Sequence, residues 1–145
     1  MLRLINIRII ILAAIVSFIF FSCRDRDNHV VPHVPVNIHV NINNPAYIDL
    51  SIVGGWAYVN GGSNGIIVYR RSNQEFVAFD RHCTHKIVDY CAIYVDSSAS
   101  FMARCRECCG SEYSIIDGSV TKGPAGFSLR QYYTQLTGTM LTIRS

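Results

Sequence analysis

No segment of this 145-residue chain carries a convincing helical period of apolar residues, and no internal repeat or low-complexity run interrupts it. Helical bundles, solenoids and coiled coils are thereby set aside. Charge is also scarce: 13 basic residues stand against 10 acidic ones, a net of +3. Two of the basic residues, Arg3 and Arg8, lie in the first 22 positions, so eleven basic and ten acidic residues remain beyond them. A remainder so near neutrality has no electrostatic footprint for nucleic acid. A long apolar run is missing too. The uncharged stretch Ile9 to Phe21 is thirteen residues, short of the roughly 20 that a helix needs to cross a bilayer. Outside the segment Cys83 to Pro124, no nucleophile–base pair and no cofactor fingerprint appears, so the chain is not expected to be an enzyme itself.

What is present begins at the N-terminus. A basic lead, an apolar run and Ser22-Cys23 form the n-region, h-region and small-residue approach of an export signal. Ser22-Cys23 also resembles a lipobox, which implies lipidation of Cys23 and a mature chain that starts there. The expected layout is a signal over residues 1–22, a polar and proline-punctuated tether over 23–33 and one domain over 34–145. Removing 22 residues from 145 leaves 123, the size of a single domain. The protein is therefore expected outside the cytoplasm, lipid-anchored to a bacterial membrane, where disulfides persist.

The body of the chain reads as strands. Val34, Val36, Ile38, Val40 and Ile42 alternate with polar neighbours, the period of a half-buried strand. His39 falls on the polar face and is expected to be an exposed strand residue. Gly54-Gly55 and Gly61-Gly62 bracket a strand at Trp56–Val59. Ile66–Arg70 and Glu75–Phe79 form a hairpin across Ser72-Asn73-Gln74. Further strands are expected at Ser100–Arg104, Tyr113–Ile116 and Met140–Arg144, with a tight turn at Asp117-Gly118.

The chemistry lies between Cys83 and Pro124. Without Cys23 the chain has five cysteines, an odd number that disulfide pairs alone do not use up. Cys83-Thr84-His85 follows a strand directly, and Cys105-Arg106-Glu107-Cys108-Cys109-Gly110-Ser111-Glu112-Tyr113 comes about 20 residues later. Each loop offers soft ligands from a tight turn, as iron–sulfur or zinc sites require.

These two loops, with Gly123-Pro124-Ala125 after them, resemble the motifs of Rieske [2Fe-2S] proteins over about Glu75 to Tyr132. The resemblance implies an all-β domain of antiparallel sheets with two cluster-binding loops. It also implies a [2Fe-2S] cluster on Cys83, His85, Cys105 and Cys109, with Cys108 an alternative ligand. It implies cluster hydrogen bonds from Ser111 and Tyr113 and a disulfide between Cys91 and Cys108. The chain departs from the family pattern in three places. Cys109 stands where the family has its second histidine, loop two is one residue longer, and the segment from Cys83 to Cys91 is extended. Two registers remain open, Cys105 with Cys109 or Cys105 with Cys108. A thiolate in place of a neutral imidazole lowers the potential of such a centre. His82 adjoins the motif but matches no ligand position.

Three functions follow from these readings. One is a membrane-tethered one-electron carrier serving a redox partner protein, as an electron-transfer component of an oxidoreductase system. The second is a cluster-free structural or interaction domain of the same fold. The third is a zinc-stabilised domain, since three thiolates and one imidazole are an ordinary tetrahedral zinc set.

The tether is directly testable. Cys23→Ala is expected to leave an unprocessed or soluble chain that no longer fractionates with membranes. An unmodified mature N-terminus at another position, found by mass spectrometry, would overturn the lipoprotein reading.

Overall fold

Alternation of the kind seen near the start of the domain buries one face of a strand, and here the inward residues are Val36, Val40 and Ile42. In the computed structural model, which describes residues 31–96 and 98–145, this segment is β1, Asn37–Asn41. Val34 is 36% exposed and lies ahead of the strand, so the alternation is effective only from Val36 onward. The segment expected to be a signal, the expected lipidation residue Cys23 and most of the expected tether lie outside the described residues. The domain body reaches back to Val31, which is buried, and the Arg130 guanidinium donates to the carbonyls of Val31 and Pro32.

Nine further strands follow: β2 Trp56–Val59, β3 Ile66–Arg70, β4 Phe76–Asp80, β5 Tyr94–Asp96, β6 Ala99–Arg104, β7 Glu112–Ser114, β8 Val120–Lys122, β9 Gln131–Thr137 and β10 Met140–Arg144. They form a six-stranded sheet in the order β1-β10-β9-β4-β3-β2 and a four-stranded sheet in the order β5-β6-β7-β8, with every pairing antiparallel. The all-β, antiparallel class expected from the sequence is the observed one. Among the described residues the only helical pieces are 3-10 turns at Pro45–Ser51 and Ile87–Asp89. The first opens on Pro45 behind Asn44, whose side chain accepts from the Ala46 N–H.

The hairpin of β3 and β4 is apolar almost without a break because it is buried on both sides. Ile66, Val68, Phe76 and Ala78 enter one core with Leu50, Tyr132, Leu141 and Ile143. Ile67, Val77 and Phe79 enter a second core with Ile93, Val95, Ala103 and Ile115, between the two sheets. Successive side chains of a strand point to opposite faces, so each apolar residue of β4 contributes to one core or the other. The cysteines Cys83, Cys91 and Cys105 belong to this second core.

One polar group sits at the C-terminal end of β4. The Asp80 carboxyl is fully buried and accepts from the backbone N–H groups of Ser63, Asn64 and His82 and from the Tyr132 hydroxyl. Gly62 makes room for it. That residue sits at φ +66°, and a Cβ there would lie 2.5 Å from Asp80 Oδ2 and 2.6 Å from the Tyr132 hydroxyl. The buried carboxyl holds the proton of Tyr132 in place and raises that phenol well above its ordinary range, burial being the larger cause.

Three strands escaped the sequence reading. β5 and β8 have three residues each, too few for a visible period, and β9 alternates a buried Tyr132 with polar neighbours that mask the pattern. Tyr113–Ile116 shortens to β7 because the chain turns at once, the Gly118 N–H donating back to the Ser114 carbonyl. His39 is exposed and its Nδ1 lies 3.1 Å from the Thr142 hydroxyl across the strand pair.

Tyr132→Phe keeps the shape of β9 and removes one donor to Asp80. Stability is expected to fall by about 1 to 3 kcal/mol, read from the urea midpoint at unchanged slope. A midpoint equal to wild type would show that the contact contributes nothing to folding.

Candidate metal centre

Loop one leaves β4 and returns to β5 through a short two-stranded base. The Arg81 carbonyl accepts from Ile93 N–H, and the Cys83 N–H donates to the Cys91 carbonyl at 2.8 Å, with His82 bridging Ala92 between them. Above that base, residues 84–90 are pinned by two side chains. His82 Nε2 lies 2.8 Å from the Ile87 carbonyl while Nδ1 meets the Ser63 hydroxyl at 2.8 Å, so a ring protonated at Nε2 satisfies both contacts. Asn64 Nδ2 donates to the Tyr90 carbonyl. Although His82 matches no ligand position, it is fully buried and shapes the loop that carries Cys83.

Loop two closes on itself between β6 and β7. The Cys105 N–H donates to the Ser111 carbonyl and the Gly110 N–H to the Cys105 carbonyl. A disulfide joins Cys91 of loop one to Cys108 of loop two, their Cα atoms 6.3 Å apart. A bridge of this kind contributes about 2 to 4 kcal/mol, chiefly by restricting the unfolded chain. Here it also fixes how the two loops face each other. A third loop covers them: the Ala125 N–H donates to the Ser111 hydroxyl at 2.9 Å, and the Thr84 hydroxyl donates to the Phe127 carbonyl.

Inside this frame the thiols of Cys83, Cys105 and Cys109 all lie within 4.8 Å of one another. Cys83 Sγ and Cys109 Sγ are 3.5 Å apart. Cys108 is consumed by the bridge, which leaves Cys109 as the member of the Cys108-Cys109 pair that joins the other thiols. His85 stands two residues beyond Cys83 on the same loop and is half-buried, but it is not one of the converging group. The structure thus brings together three of the four residues expected as ligands. Each of the two hydroxyl residues expected beside them contacts one of these thiols. Ser111 Oγ is 3.0 Å from Cys109 Sγ, and the Tyr113 hydroxyl is 3.3 Å from Cys83 Sγ while also accepting from the Thr84 N–H.

The three thiols are electrostatically unequal. Burial pushes Cys105 up to about 12, and the neighbouring thiols add to the rise. Burial likewise raises Cys83, opposed in part by its contact with Tyr113. Burial acts upward on Cys109 too, but hydrogen bonds from the Ser111 hydroxyl and backbone and from the other two thiols outweigh it, and Cys109 ionises below the ordinary thiol range. This environment favours ionisation of Cys109 over that of the two more deeply buried thiols. A metal cation reverses the preference of the other two, since a coordinating thiol is deprotonated outright.

The donor set fits a metal centre in kind, with three converging thiols and His85 nearby on loop one as the remaining candidate. Thiolates around one tetrahedral ion at about 2.3 Å stand roughly 3.8 Å apart, close to the observed convergence. No protein-family model and no curated protein matches the chain. Among solved structures, the cyanobacterial plasma-membrane Rieske protein PetC3 from Synechocystis PCC 6803 is similar at a TM-score of 0.54 and 22% identity, over 76% of this chain and 99% of that one.

The chain has a Rieske-like fold.

A chain of the complex of reduced oxygenase and oxidised ferredoxin in carbazole 1,9a-dioxygenase is similar at a TM-score of 0.50 and 15% identity, over 78% of this chain and 94% of that one. In this Rieske-like domain the free cysteines sit on the two loops at one end of the smaller sheet, where the sequence resemblance locates its ligands.

The unequal acidities predict an order of chemical modification. In metal-free protein with the bridge intact, iodoacetamide near neutral pH is expected to alkylate Cys109 first and Cys105 last, as mapped by peptide mass spectrometry. A lowered thiol pKa populates the reactive thiolate at lower pH, so the lead of Cys109 narrows as pH rises into the ordinary thiol range. Ser111→Ala removes the donor and is expected to slow Cys109. Equal rates for all three cysteines at neutral pH would overturn this picture.

Proposed function

We propose that this Rieske-like domain is a one-electron carrier holding a [2Fe-2S] cluster on Cys83, Cys105, Cys109 and His85. The observation that carries the reading is the pairing of ligands with hydroxyls. Two facing loops, clamped by Cys91–Cys108, present thiols that meet Ser111 Oγ at 3.0 Å and the Tyr113 hydroxyl at 3.3 Å. A bound cluster supplies reversible one-electron chemistry, and the chain's own residues set its potential. Three thiolates add negative charge and lower it. The hydroxyls of Ser111 and Tyr113 withdraw charge from sulfur and raise it. Burial of Cys83 and Cys105 keeps water from these two thiolates.

In this reading Cys23 carries lipid, the domain works outside the cytoplasm on a bacterial membrane, and its partner is another redox protein. The plasma-membrane Rieske protein that shares the fold supports such a setting. A second reading is favoured by one observation. All three thiols lie within 4.8 Å of one another with His85 outside the group, an arrangement that suits a single tetrahedral ion such as zinc.

Anaerobically purified protein is expected to be coloured, with two irons and two sulfides per chain. His85→Ala is expected to bleach it while the β-rich fold persists, and Cys109→His to raise the potential. One zinc per chain without iron or sulfide would overturn the electron-carrier reading in favour of the second. Protein that takes up no metal would overturn both.

A further inference from the structure

We infer that the cysteine-loop end of the domain rests against the lipid bilayer, with Val88, Tyr90 and Phe127 as the side chains that meet it. This rests on the lipidation of Cys23 proposed above.

Strand direction provides the first argument. β1 and β9 each pair antiparallel with β10, so they run the same way, and β9 runs opposite to β4. The start of β1, the start of β9 and the end of β4 therefore share one end of the sheet. Loop one departs from that end of β4. The Arg130 guanidinium, just before β9, donates to the Val31 and Pro32 carbonyls, while the Arg130 carbonyl accepts from Asp80 N–H. The tether thus enters the domain beside the loop that carries Cys83, and it is held there.

Reach provides the second. Eight peptide steps separate Cys23 from Val31. Even fully extended, they span at most about 28 Å. An acylated Cys23 would keep the tethered end close to the bilayer, while the Ser72-Asn73 turn lies at the far end of the same sheet.

Surface chemistry provides the third. Val88 is 83% exposed, Tyr90 62% and Phe127 50%, a group of large apolar side chains at this end, while Ile52 and Val53 are exposed elsewhere. All three belong to the loops that frame the thiols: Val88 and Tyr90 to loop one, and Phe127 to the third loop, where its carbonyl accepts from Thr84 beside Cys83. The exposed charged side chains of the two loops, Lys86 with Asp89 and Arg106 with Glu107, balance one another, so neither loop presents a one-signed charged rim against an apolar contact. A tyrosine ring among aliphatic side chains suits the headgroup level, where one end is apolar and the other wet. Held this way, the thiols meet partners that move in the plane of the membrane.

Tryptophan reporters test the orientation. The full chain is reconstituted in phosphatidylethanolamine–phosphatidylglycerol vesicles containing a nitroxide-labelled lipid, and acylation of Cys23 is verified by mass. Val88→Trp and the more conservative Tyr90→Trp are each expected to add fluorescence that the nitroxide lipid largely removes, read against the native Trp56. Asn73→Trp, in the far turn, is expected to add fluorescence that the lipid leaves untouched. Equal quenching at both ends, or none at 88 and 90 in protein that floats with the vesicles, would overturn the orientation while leaving the anchor standing. The latter result would assign these side chains to a protein partner. Protein that fails to float would overturn the anchor and the orientation together.

Discussion

Much of this structure depends on one buried carboxyl group. Asp80 ends β4 and collects four donors, from the Ser63-Asn64 turn, from His82 at the root of loop one and from Tyr132 on β9. A buried acceptor left without partners costs about 1 to 3 kcal/mol or more, so these contacts support one another. Their joint formation fixes where loop one begins. His82 then passes the constraint on through its ring, and Asn64 does so through Tyr90, until the position of Cys83 is set to within a hydrogen bond.

The thiol site inherits this order from both sides. Loop one is positioned from the large sheet through Asp80, loop two from the small sheet through its own closed turn, and the third loop bonds to each through Thr84 and Ser111. Ser111 joins the two levels of organisation, accepting from Ala125 while its hydroxyl faces Cys109 Sγ. The same atom therefore packs a loop and favours ionisation of Cys109. Tyr113 does the equivalent work at Cys83, where its phenol is raised in pKa by burial and by the neighbouring sulfur and stays a donor.

Much of this was legible in the sequence, for reasons that differ by element. Ile66–Arg70 and Met140–Arg144 appear as strands with the bounds read from their composition, because both are dense in β-branched or long apolar side chains between turn residues. The two cysteine loops were visible from ligand types and spacing. His82 and Asp80 were not, because a buried polar residue is recognised by its partners, and Ser63, Asn64 and Tyr132 lie 16 to 52 residues away in the chain. The register at Cys108 and Cys109 was likewise undetermined in one dimension. Adjacent residues differ only in the direction of their side chains, and it is the approach of Cys91 that turns Cys108 outward to the bridge and leaves Cys109 beside Cys83.

The covalent link between the loops has a bearing on how a metal would come and go. In small zinc domains the ion organises the chain, and removing it unfolds the protein. Here the two loops are joined through Cys91 and Cys108, closed by backbone hydrogen bonds and roofed by Ala125, all without help from a ligand. Loading and folding are then separate events. If the proposed centre forms, it can be filled after the bridge has closed, and a centre lost to a chelator or to oxidation would leave behind a vessel of the same shape, ready to be refilled.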